Sequence, residues 1–151
     1  MVAKPPYAAI AARLLAREPP PPLSPSGVYD AALTSPIDEL AIPPLSKATL
    51  HLLNDDLERS HELAQSSEGD RTADYLHSIV HRREGDFSNG QYWLRRAEGH
   101  PVLAGIFGTD SSAPLDFIDR CRSSGSSPSR ELLETQRREL AALLEETLRD
   151  P

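Results

Sequence analysis

One cysteine, Cys121, in 151 residues excludes an intrachain disulfide framework and any multi-thiolate metal site. Set among Leu115, Phe117 and Ile118, it reads as a small core residue. Long apolar runs are missing too. None reaches the ~18 residues that suggest a membrane span, and Arg13 breaks the Ala-rich run that, with Lys4, begins like a secretory leader. The expected location is cytoplasmic. Positive charge is in deficit, with 16 Lys and Arg against 23 Asp and Glu and a net charge of −7. Neutralising phosphates needs a basic face, so nucleic acid is not an expected partner. The chain also lacks a Gly-rich phosphate loop and a Ser-His-Asp signature.

No segment alternates polar and apolar residues with period two, which argues against a sheet. The expected fold is all-α: an irregular helical bundle in one domain with a modest core. Ten of the 14 prolines fall within the first 44 residues. Residues 6–17 read as a helix, and Pro19 to Pro22 must end it in a stiff, extended spacer. Tyr29 to Leu33 reads as a short helical turn, and the rest of residues 18–44 is expected to be largely irregular and to wrap the surface, exchanging fastest near Pro22 to Gly27. Residues 45–107 then form the central helices and 113–149 the C-terminal ones.

Helical spacing of Leu50, Leu53, Leu57 and Ala64 predicts one helix over 45–66. Glu68-Gly69 stops it, and Asp70 caps a second helix over 71–84. Gly85-Asp86 turns the chain into a third, 89–98. A short helix from Pro101 to Phe107 and another around Leu115 to Cys121 follow. Ser127-Pro128 opens an amphipathic last helix, 129–149, with Glu134–Arg138 and Glu145–Arg149 as i,i+4 pairs.

The stretch from Ala73 to Pro101 holds three of the five histidines, the only tryptophan and four arginines. His77 and His81 lie one helical turn apart, a spacing at which a divalent metal can be shared. Glu84 borders the same stripe, and His61 or His100 could complete a site from another helix. Two packed antiparallel helices would bring His61 level with His77, since each lies about eight residues from Gly69. Neither His77-Ser78 nor His61-Glu62 continues into a zinc-protease motif. The alternative is that these histidines border the core and hydrogen-bond carboxylates.

Without metal, His77, His81 and Glu84 could perform general acid–base catalysis, with arginines binding an anionic substrate. Arg82, Arg83, Arg95 and Arg96 form two doublets, each expected to expose at least one member. Arg82 and Arg96 are the candidate anion ligands, against the plainer alternative of salt bridges to Glu84, Asp86 and Glu98. Gln65 and Tyr92 are placed at the rim of the pocket. Asn89 joins the binding set, although capping beside Asp86 also explains it.

Gly85, Asp86, Phe87, Gly90, Tyr92, Trp93 and Ala97 resemble the turn and second helix of a tetratricopeptide repeat. That resemblance implies a helix pair, over about thirty residues. A wider stretch, roughly Leu52 to Val102, resembles a family of uncharacterised bacterial and fungal proteins. Its shared pattern is His77-x-x-x-His81-Arg82-x-Glu84-Gly85-Asp86-x-x-Asn89-x-x-Tyr92-Trp93. This resemblance implies grouping, with His61 and Gln65 in the same module, and no particular reaction.

The expected function is binding of a small anionic molecule or a divalent metal such as zinc, with hydrolase or lyase chemistry. His61, His77 and His81 are the candidate metal ligands. The competing expectation is a tetratricopeptide-like module that holds a protein partner and catalyses nothing.

Overall fold

In the computed structural model, which describes residues 6–149, all regular structure is helical. The elements are α1 (Ala8–Leu15), a 3-10 turn (Ala31–Leu33) leading into α2 (Thr34–Asp38), α3 (Pro44–Leu53), α4 (Leu57–Gln65) and α5 (Arg71–Glu84). There follow α6 (Phe87–Arg96), α7 (Pro101–Phe107), α8 (Ala113–Ser124) and α9 (Arg130–Arg149). Among the described residues, no helix is long and apolar enough to cross a membrane. Lys4, weighed above as part of a leader, lies outside the described residues.

The turns are chemically explicit. The Asp70 side chain accepts from the Thr72 and Ala73 amides and so starts α5. Gly85 ends α5 at φ 87°, a left-handed position that a side chain would strain. Asp86 then caps α6 one residue later. His100 Nδ1 accepts from the Val102 amide, and Pro101 occupies the first position of α7.

α5 runs through the middle of the bundle, and ten of its fourteen residues are buried. Its Leu76, Ile79 and Val80 join Leu50 and Leu53 of α3 and Leu140 and Leu143 of α9 in the main core. Leu23, Phe117, Cys121 and Leu132 form a smaller cluster beneath the N-terminal segment.

Three expectations need correction. The helix predicted over 45–66 is two helices, broken at Asn54-Asp55-Asp56, with Asp55 at φ 60°. The break is held by arginines from remote segments. Asp55 accepts from Arg17 at 2.9 Å and from Arg83 at 2.6 Å. The same guanidinium groups bond the Leu53 and Leu52 carbonyls, at 2.7 and 2.6 Å, beside the chain break. Asp56 then caps α4 through the Arg59 amide.

The second correction concerns Arg82 and Arg83, both of which are buried. Their partners are Glu139 and Asp55 rather than Glu84 and Asp86. Burial lowers the Arg83 pKa to about 10 against the favourable pull of Asp55. For Arg82 burial acts the same way, but Glu139 overcomes it and the pKa ends up raised.

Within residues 18–44, the short turn expected over Tyr29 to Leu33 is the 3-10 turn, continued by α2, and the Pro22 carbonyl accepts from Arg83 and Gln136. Finally, α9 begins at Arg130, where the Ser129 hydroxyl accepts from the Leu132 amide, and Glu134 pairs with Arg130 and Arg137 instead of Arg138. The expected Glu145–Arg149 pair is present at 3.2 Å.

Removing the Asp55 carboxylate would strand two buried guanidinium groups. Asp55→Ala is therefore expected to cost about 3–5 kcal/mol in chemical denaturation. A loss below about 1 kcal/mol would show that the two arginines are satisfied without it.

Candidate metal centre

α4 and α5 leave the same short turn, so side chains at equal distances from it meet across the helix pair. His61 and His77 do so, with their Nε2 atoms 2.9 Å apart. His81 follows one turn along α5. Its ring stacks on that of His77 at 4.9 Å and meets His61 edge-on at 5.3 Å. One candidate ligand atom from each of the three histidines can be chosen so that all lie within 4.8 Å of one another.

α6 closes the far side of the cluster because it can approach α5 closely at Gly90. A Cβ there would stand 3.4 Å from both the Arg82 nitrogen and the Ser78 oxygen, and Ser78 Oγ donates to the Gly90 carbonyl at 2.6 Å. Three residues on, Trp93 lies on the His77 ring at 4.0 Å and 13°. The Arg96 guanidinium stands 5.3 Å from the Trp93 ring, and its Nε is 3.7 Å from Asp74 Oδ2.

His77 is buried, whereas His61 and His81 are partly exposed. Burial, then repulsion from His61 and His81, lowers the His77 pKa from 6.5 to about 4. At neutral pH it is an uncharged imidazole with a lone pair to offer. His81 Nδ1 faces Glu84 Oε2 at 3.1 Å, with Asp86 Oδ2 at 4.0 Å. That carboxylate favours the proton on Nδ1, leaving Nε2 as the lone-pair nitrogen.

The other predicted site residues divide clearly. Glu84 joins the cluster through His81. Arg96 and the half-exposed Tyr92 lie beside Trp93, Tyr92 meeting it edge-on at 5.2 Å. Arg82 does not join: its guanidinium turns to α9, where it bonds Glu139 at 2.9 Å and Gln136 at 3.1 Å. Tyr75 donates to the same Glu139 at 2.7 Å. Asn89 bonds Asp86 through both its amide and its side chain, the capping alternative. Gln65 is exposed at the end of α4. His100 bonds Thr72 Oγ1 at 2.9 Å while capping α7, so it is not the completing ligand.

The histidines line neither the cleft of about 480 Å³, walled by Leu94, His100, Leu103 and Leu115, nor the one of about 310 Å³ near Pro44, Asp70 and Glu146. Asp74 escaped the sequence reading. Its position three residues before His77, on one helix face, was the available signal. No protein-family model, no curated protein and no solved structure matches this chain.

The depressed His77 pKa makes the metal-free protein sensitive to acid. The unfolded chain takes up a proton near pH 6.5, but the folded one does so only near pH 4. The stability tied to His77 is therefore complete above pH 6.5 and lost as pH falls towards 4. Chelator-treated His77→Gln is expected to show a flatter fall in Tm across that window. Parallel wild-type and variant curves would contradict this.

Proposed function

We propose that the protein binds a divalent metal ion, zinc by preference, through His61, His77 and His81. One observation carries this reading: three imidazoles from two helices stand together, and one ligand atom from each can be chosen so that all lie within 4.8 Å of one another. Tetrahedral zinc with bonds of about 2.0–2.1 Å sets its ligand atoms about 3.3 Å apart. The His61–His77 separation must open slightly from 2.9 Å, and any longer separation must close by at most about 1.5 Å. Side-chain rotations suffice for shifts of this size.

The donor set supports zinc over magnesium or calcium, which prefer oxygen ligands. His77 needs no deprotonation at neutral pH, and Glu84 orients His81 in the way carboxylates commonly orient metal-bound imidazoles. Three protein ligands leave a fourth position for water or a small anion. A zinc ion held by these residues would supply Lewis-acid chemistry of the kind that hydrolytic and lyase reactions use. The histidines then act as ligands rather than as acid and base, and Glu84 as the group that orients His81. A protein-interaction module built on α5 and α6 would leave the convergence of histidines without a role.

Titration of the chelator-treated protein with Zn²⁺ is expected to give one site per chain. Single substitutions His61→Ala, His77→Ala and His81→Ala should each weaken binding by more than about 100-fold, beyond the 10–100-fold typical of supporting residues. Zinc at 100 times its Kd should stabilise the wild type by about 2.7 kcal/mol. Binding that is indifferent to all three substitutions would overturn the reading.

A further inference from the structure

His77 Nε2 faces His61, which leaves Nδ1 on the side of the ring away from the shared point. That nitrogen is buried and, among the described residues, has no hydrogen-bond partner. Asp74 lies one turn earlier on α5 and is 3% exposed. Its Oδ1 is likewise buried without a partner among the described residues, while Oδ2 makes only the 3.7 Å approach to Arg96. Side chains on a helix lean back over the residues three and four before them, so the His77 ring leans towards Asp74. Trp93 and Arg96 wall the same space: one lies on His77 and the other reaches Asp74.

In the tautomer that carries its proton on Nδ1, His77 is a buried donor without an acceptor and Asp74 a buried acceptor without a donor, and each carries an unrelieved desolvation penalty. One hydrogen bond, direct or through a single water, removes both. On the metal reading above, His77 Nε2 must also move from its 2.9 Å contact with His61 to a spacing set by the ion. Turning the ring about its side-chain torsions shifts Nδ1 at the same time.

We infer that Asp74 is the positioning residue for His77, its carboxylate accepting the Nδ1 proton and so directing the Nε2 lone pair to the metal. The inference rests on the metal reading. It makes His77–Asp74 the counterpart of His81–Glu84: in each pair a carboxylate three residues away on α5 holds the outer nitrogen of a ligand. The two differ in setting. Glu84 is exposed to solvent, whereas Asp74 is buried. The buried pair is therefore the one expected to fix ring orientation.

Asp74 also sits in the first turn of α5, where any carboxylate favours the helix. The test must separate the two roles. In zinc-loaded, ¹⁵N-histidine-labelled protein, the His77 Nδ1 proton is expected to resonate downfield and exchange slowly. Asp74→Ala should move it upfield and weaken Zn²⁺ binding about 10–100-fold. Asp74→Asn keeps an acceptor oxygen without the charge and should fall between wild type and Ala in both readouts. A purely helix-stabilising role would lower Tm but leave the Nδ1 resonance and the zinc affinity unmoved, which overturns the inference. Should the Ala variant not fold, an Asn variant equal to wild type in both readouts overturns it as well. If the wild type binds no zinc, the metal reading fails and this inference with it. If zinc binds through the three histidines while both Asp74 variants match wild type, only the role of Asp74 falls.

Discussion

The ion pair between Asp55 and Arg83, 2.6 Å long and almost wholly out of solvent, ties the α3–α4 break to the middle of the bundle. Arg83 also reaches the Leu52 carbonyl and the Pro22 carbonyl, and Arg17 meets Asp55 from the other side. Three segments distant in sequence, the N-terminal stretch from Arg17 to Pro22, the α3–α4 break and α5, thus share one buried charge cluster. An isolated buried charge is too costly to persist, so each segment stays where its partner needs it. The consequence reaches the histidines. α4 starts two residues after Asp55 and α5 carries Arg83, so the cluster helps fix the register in which His61 stands opposite His77.

A second buried network holds the other side of α5. Glu139 of α9 accepts from both Arg82 and Tyr75, and Gln136 adds a bond to Arg82 before reaching the N-terminal segment through the Pro21 and Pro22 carbonyls. Burial and the Glu139 carboxylate raise the Tyr75 pKa well above its ordinary value, so its phenol stays a donor. α5 is therefore pinned by ionic contacts on two faces and presents His77 and His81 on a third. These contacts hold the helix backbone that carries His77 and His81. Trp93 adds to that support by filling the open face of His77.

The turns of the central helices were readable because they are made locally. Asp70, Gly85 and Asp86 each act on amides or dihedrals within three residues. The break at residues 54–56 was not readable, because Leu50, Leu53 and Leu57 keep helical spacing straight across it. What interrupts the helix is a pair of arginines 38 and 28 residues away from Asp55. The burial of Arg82 escaped for the same reason, since Glu139 lies 57 residues further on. The level approach of His61 and His77 needs only a turn and a count of residues, and it survives the break because the break precedes His61. Which nitrogens stay unpaired in the folded chain is a property of packing, and no spacing rule reveals it.

The central claim is that three imidazoles from α4 and α5 hold one metal ion. X-ray absorption at the zinc edge of the loaded protein tests it most directly. The account predicts a first shell at about 2.0–2.1 Å containing three imidazole nitrogens and one light oxygen or nitrogen atom, with no sulfur. A six-coordinate oxygen shell, or one with fewer than two imidazoles, would contradict it.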